Sequence, residues 1–173
     1  MSLVIRTAAP GDRHNLELLL AALIREHQAA FPMAYPQFPD AAEAAAYIAA
    51  GYAARLAQDP SLVAVLAADR APVGLLVGEV CARPVGRPAT VCFVEWFYVE
   101  PPERGQGIGR ELVRAGLTIL RTHGVTHVEC QSMPGDRQWQ RRGWHETARR
   151  YVAPFGDVAT WCNLEEYDEH AAR

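Results

Sequence analysis

The chain has 173 residues, 50% hydrophobic and 21% charged, with a formal net charge of −3. That length suits one domain with a real core, and the composition excludes disordered and collagen-like chains. Near-neutral charge gives no support to nucleic-acid binding by bulk electrostatics, and no run approaches the roughly 18 apolar residues that a membrane helix needs. The opening MSLVIRTAAPGD lacks the basic and apolar regions of a signal peptide. Cys81, Cys92, Cys130 and Cys162 form no CxxC pair. The expectation is therefore a cytoplasmic protein with reduced thiols and no zinc ribbon. Every basic residue apart from histidine is arginine, and the six histidines are scattered, so no metal is expected.

In chain order, Leu3 to Thr7 reads as a first strand ended by Pro10-Gly11-Asp12. Leu16, Leu19, Leu20, Leu23 and Ile24 then recur at helical spacing. Three prolines keep residues 31–39 out of a helix and make them a loop with aromatics. Asp40, with Glu43 three residues on, signals a second helix start. Its stripe carries Tyr47, Ile48, Tyr52 and Leu56. Residues 61–68 and 73–81 are β-branched or apolar runs joined by a turn, which predicts a hairpin. A third run, Val91 to Val99, is closed by Pro101-Pro102, because proline cannot continue the pairing. Ile108, Leu112, Ala115, Gly116, Ile119 and Leu120 form the next helical stripe, stopped by Gly124. His127 to Gln131 reads as a strand, Asp136 to Arg142 as a short helix, and 144–152 and 158–164 as two more strands. No repeat or linker interrupts the chain, so the expectation is one α/β domain over residues 1–173.

The most informative stretch is the glycine turn Arg104-Gly105-Gln106-Gly107-Ile108-Gly109-Arg110, entered from a strand and leading into a helix. Such a turn gathers unpaired N–H groups at the positive end of a helix dipole and suits a phosphate. Arg104 and Arg110 flank it and can add charge-assisted hydrogen bonds. A Walker A loop needs Gly-Lys-Ser/Thr, and the chain contains no lysine. The dinucleotide fingerprint needs glycine where Arg110 stands.

What remains, Arg104-x-x-Gly107-x-Gly109 after Val99-x-Pro101, resembles the coenzyme A-binding motif of the GNAT superfamily of N-acetyltransferases. The opening Ile5-Arg6-x-Ala8-x-Pro10-x-Asp12 and the late Gln140-Arg-Arg-Gly143-Trp144 are similar to that family as well, and the element order agrees over nearly the whole chain. The resemblance implies a mixed, mostly antiparallel sheet of about six to seven strands flanked by helices, splayed between the fourth and fifth strands. It implies acetyl-CoA as co-substrate. The N–H groups from Gln106 to Arg110 would hold its pyrophosphate, and the backbone of Phe97 and Val99 its pantetheine arm and acetyl carbonyl.

Acetyl transfer to an amine needs a base, because a primary amine is mostly protonated at neutral pH. Glu95, four residues before Val99, is expected on the same strand face as Val99 and is the first candidate base. Its alternative is a carboxylate that merely pairs with an arginine or hydrogen-bonds in the cleft. Glu79 and Glu129 are weaker candidates. Where relatives often place an acidic tyrosine, this chain has Trp139, which leaves Tyr98, Ser132 or Tyr151 as substitutes. Asp136 stands near a coenzyme-contacting asparagine of relatives, and Arg141 and Arg142 near its 3′-phosphate. Tyr35, Phe31, Phe38 and Tyr47 fall where relatives line the acceptor side, or else in the core. Cys130 lies near the expected splay. The function expected is acetylation of a primary amine, on a small molecule rather than a protein, by a weakly dimeric enzyme. The alternative is a non-catalytic acyl-CoA-binding sensor of the same fold.

Overall fold

A computed structural model describes residues 3–30, 40–83 and 89–130, all within one compact unit. Helices and strands follow one another in the order the sequence pattern predicts. Strand β1 (Val4–Thr7) is followed by helices α1 (Arg13–Ala30) and α2 (Ala41–Leu56), then β2 (Leu62–Asp69), β3 (Ala71–Arg83) and β4 (Ala89–Val99). Helix α3 (Ile108–Thr122) crosses over to β5 (His127–Cys130). The five strands form one sheet in sequence order, antiparallel up to β4 and parallel between β4 and β5. The parallel step needs a crossover, and α3 supplies it. Six or seven strands were expected; the described residues hold five, and the runs 144–152 and 158–164 lie outside them, as does the short helix expected over 136–142.

The sheet buries both faces. Leu62, Ala64 and Leu66 of β2, with Leu75 and Val77 of β3, meet Leu16, Leu19, Leu20, Leu23 and Ile24 of α1 and the alanines of α2. Their neighbours Val63, Val65, Ala67 and Leu76 point the other way, to Ile108, Leu112 and Leu120 of α3. This double burial explains why β2 reads as an almost continuous apolar run rather than an alternating one. Each fully buried leucine contributes about 1.5–3 kcal/mol relative to exposure. Asp40 caps α2 by accepting from the Ala42 N–H at 2.8 Å. The stripe of α2 departs from expectation at Tyr47, which is 72% exposed, while Tyr52 is buried. The phase of the helix is set by Ala41, Ala44, Ala45, Ala49 and Tyr52, whose small side chains let α2 lie close.

At the start of α1, Arg6 reaches from β1 and binds both oxygens of Asp12 at 2.6 Å each. Asp12 also accepts from the Ala9 N–H and from Asn15. The Arg6 bonds above all hold this carboxyl well below the usual carboxylate range. A depressed native pKa stabilises the fold above the unfolded value, and that contribution is lost as pH falls. Thermal melts from about pH 6 down to about pH 2 should therefore fall more steeply for the wild type than for Asp12→Ala. At neutral pH the variant should be about 1–3 kcal/mol less stable, since Arg6 and the Ala9 N–H lose their acceptor. Equal pH slopes would remove Asp12 from the acid sensitivity.

Candidate active site

Beyond Pro101–Glu103, a single turn of 3-10 helix, the chain enters the glycine turn. Gly105 and Gly107 hold φ of +82° and +88°, a left-handed backbone that disfavours side chains. Gly107 is the cap residue of α3 and provides no side chain to bond its first N–H groups. None of the N–H groups of residues 105–109 donates to an oxygen among the described residues. The Arg110 N–H, expected in this set, donates instead to Gly107 O at 3.0 Å. Gly109 brings the helix against β4, because a Cβ there would lie 3.0 Å from the Phe97 ring.

Arg104 flanks the turn but faces away from it as a charge. Its guanidinium donates to Val99 O at 2.8 Å and to Glu26 of α1 at 2.6 Å, and it lies 5.5 Å from the Tyr98 ring centre. It ties the end of β4 to α1. Arg110 lines an open groove of about 280 Å³ along α3, with Val113, Arg114, Leu117, Thr118 and Arg121.

Strand β5 pairs with β4 only over Val91–Val94, so beyond Val94 the pairing stops among the described residues. On the β3 side, Glu100 N–H donates to Val73 O at 2.9 Å, and Trp96 and Tyr98 stand opposite Val77 and Leu75. Antiparallel alternation then turns the backbone N–H and C=O of Phe97 and Val99 toward the β5 side.

Glu95 departs from that reading. It is the extra residue of a β-bulge: Val77 stands opposite Trp96 and Gly78 opposite Val94, which leaves Glu95 between them. A bulge reverses the facing of everything after it. Cys92 and Val94 face α3, and so do Phe97 and Val99, while Trp96 and Tyr98 face α1 and α2. Glu95 therefore lies on the α2 face, opposite to Val99 rather than beside it. There the Tyr52 hydroxyl of α2 donates to Glu95 Oε2, and the Trp96 indole donates to the Tyr52 oxygen at 2.6 Å. Burial, and then the Glu95 carboxylate, push the Tyr52 hydroxyl far above its ordinary value.

The other candidates fall into structural roles or outside the described residues. Glu79 accepts from Arg55 at 2.9 Å, and the same guanidinium holds Asp59. Tyr98 packs toward α1, bonds Glu100, and is pushed up to about 12 by burial. Burial raises Cys92 to about 11, a poor start for a nucleophile. Glu129 stands opposite Phe93 and Cys130 opposite Val94, where the paired stretch ends. Phe31, Tyr35, Phe38, Gln131, Ser132, Asp136, Trp139, Gln140, Arg141, Arg142, Gly143, Trp144, Tyr151 and Cys162 lie outside the described residues. Among the described residues no cluster of histidine, cysteine or carboxylates could hold a metal, and no helix is long and apolar enough to cross a membrane.

Residues 20–144 match the family model described as Acetyltransferase (GNAT) family. The chain belongs to the GNAT acetyltransferase family. The match takes in Glu95, the end of β4 and the whole glycine turn. No curated protein matches the chain. Solved structures share the GNAT fold at low identity. A ribosomal-protein-alanine N-acetyltransferase from Brucella melitensis biovar Abortus 2308 is 17% identical, with 89% of this chain and 100% of that one covered, at a TM-score of 0.63. AAC(6′)-Iy, bound to the bisubstrate analogue CoA-S-monomethyl-acetylneamine, is 19% identical over 89% and 98% of the two chains, at 0.63. An aminoglycoside acetyltransferase from an uncultured soil metagenomic sample, in complex with sisomicin, is 20% identical over 88% and 95%, at 0.62.

Sequence reasoning missed two features beside this candidate site. Arg114 and Arg121 join Arg110 along the groove, and their spacing at three to four residues or multiples of it was the available signal. Tyr52 was read only as part of a stripe, although it is the one hydroxyl on the buried, alanine-rich face of α2.

Proposed function

We propose that this chain is an N-acetyltransferase that moves an acetyl group from acetyl-CoA to a primary amine of a small molecule. The observation that carries the reading is the glycine turn: the N–H groups of residues 105–109 have no acceptor among the described residues and converge at the start of α3. A pyrophosphate satisfies those donors and meets the positive end of the helix dipole. The arginines of the α3 groove add positive charge for the coenzyme's remaining phosphate. The backbone of Phe97 and Val99, turned toward the β5 side, suits a pantetheine arm laid along the strand like an added partner.

In this reading Glu95 takes a proton from the acceptor ammonium, directly or through a water. The freed nitrogen lone pair attacks the thioester carbonyl carbon, and a backbone N–H near Phe97 stabilises the developing oxyanion. Collapse of the tetrahedral intermediate breaks the C–S bond, and the thiolate leaves at a pKa near about 8.5 by analogy with cysteine. The amide nitrogen gives up its second proton to solvent. A small polyamine suits an exposed carboxylate at the acceptor side, and one of the similar solved proteins is an aminoglycoside acetyltransferase in complex with sisomicin. The family match over residues 20–144 supports reading the chain as one acetyltransferase domain. A cytoplasmic location and a weak homodimer complete the reading.

Calorimetric titration with acetyl-CoA, CoA, NAD and ATP tests it. The expected result is micromolar acetyl-CoA and CoA binding with NAD and ATP far weaker, followed by thiol release when amines are added. No acetyl-CoA binding would sink the transferase reading.

A further inference from the structure

The geometry points to Tyr52 as the positioning residue for Glu95, which holds Oε2 and leaves Oε1 as the atom that receives the acceptor's proton. The inference deepens the reading of Glu95 as base and rests on it for its catalytic consequence. Its structural content stands on three side chains from two elements. The Trp96 indole has one N–H and no acceptor, so its 2.6 Å bond to the Tyr52 oxygen has only one polarity. The tyrosine has a single proton of its own. With a lone pair occupied by the indole, that proton goes to Glu95 Oε2. Glu95 is thus the acceptor at the end of a one-way chain, Trp96 to Tyr52 to Glu95.

Position supports the same conclusion. Tyr52 is buried beneath α2 and Glu95 is exposed, so the carboxylate is gripped from its buried side. Oε1 has no hydrogen-bond partner among the described residues. The bulge sets Glu95 and Trp96 side by side on the α2 face, where both reach Tyr52. A carboxylate on a strand otherwise turns about its terminal bonds and presents either oxygen. The tyrosine removes that freedom and presents one oxygen. The charged and titratable groups that surround the triad are Arg55 on α2, Glu79 on β3 in its grip, and the buried Cys92 on β4.

The chain is read without any acceptor by following the indole N–H signal of Trp96 in ¹⁵N–¹H spectra of the full-length protein, identified by its loss in Trp96→Phe. In the wild type the signal is expected far downfield and should move as pH is taken through the acidic range. Glu95→Gln should abolish that movement, which separates it from the titration of Glu79. Tyr52→Phe should abolish it as well and shift the signal upfield. A Trp96 signal that ignores pH in the wild type, or that titrates unchanged in Tyr52→Phe, would overturn the inference. Where the wild type acetylates sisomicin from acetyl-CoA, Tyr52→Phe should lower kcat about tenfold, leave the KM for acetyl-CoA unchanged and move the acidic limb of the pH profile. An unchanged kcat and profile would overturn the positioning role. Failure of Glu95→Gln to slow turnover, with the spectral coupling present, would instead remove the base reading and leave the hydrogen-bonded chain standing.

Discussion

Replacing Glu95 by glutamine is expected to lower kcat by about 10²–10⁴-fold, the usual contribution of a positioned general base. Glutamine keeps the shape of the side chain, and its carbonyl oxygen can still accept from Tyr52, so the bulge and the packing of α2 should survive. What it cannot do is take a proton. Acetyl-CoA affinity, proposed to rest on the glycine turn rather than on Glu95, should stay unchanged in calorimetry. The paired measurement is turnover by thiol release and binding by titration on the same sample. Intact binding with an unchanged rate would take Glu95 out of the mechanism.

Gly107→Glu should abolish binding of acetyl-CoA, with a loss of at least about 100-fold. Two effects combine. Any side chain at φ +88° strains the turn, at a cost of roughly 1–2 kcal/mol. A carboxylate there also sits at the end of α3 where the anion is to bind, and repels it. No heavy atom lies within 4 Å of a Cβ built at Gly107, so the substitution creates no collision and the fold should persist. Gly107→Ala carries the strain without the charge, and the difference in affinity between the two variants isolates electrostatics. Equal affinities in both would show that the turn does not hold the phosphates.

The parts of this molecule that were legible in the sequence are those set by neighbours along the chain. Gly105, Gly107 and Gly109 stand within five residues and specify the turn, and the proline pair after Val99 ends the strand. The leucines of α1 announce a buried face by their spacing alone. Glu95 was legible as an acid near the end of a strand, but its facing was not, because one extra residue reverses it and the register against Val77 and Gly78 belongs to another strand. Tyr52 was opaque for a related reason: its partner lies 43 residues away, on a strand whose register no local pattern announces. Arg104 was read as a phosphate ligand from its place in the motif. Its charge is directed to Glu26, 78 residues earlier in the chain, a pairing that no local pattern announces.

The bulge has a use in comparing relatives. The apolar residues of β4 that meet α3 run as two alternations out of step, Cys92 and Val94, then Phe97 and Val99. The phase break between them is written in the sequence. An alignment of distant family members that closes this one-residue slip would set the acid of one protein against the wrong position of another. One that preserves the slip carries the candidate base across correctly. In relatives too divergent for residue-by-residue matching, the place where the hydrophobic alternation skips a beat is the place to look for the counterpart of Glu95.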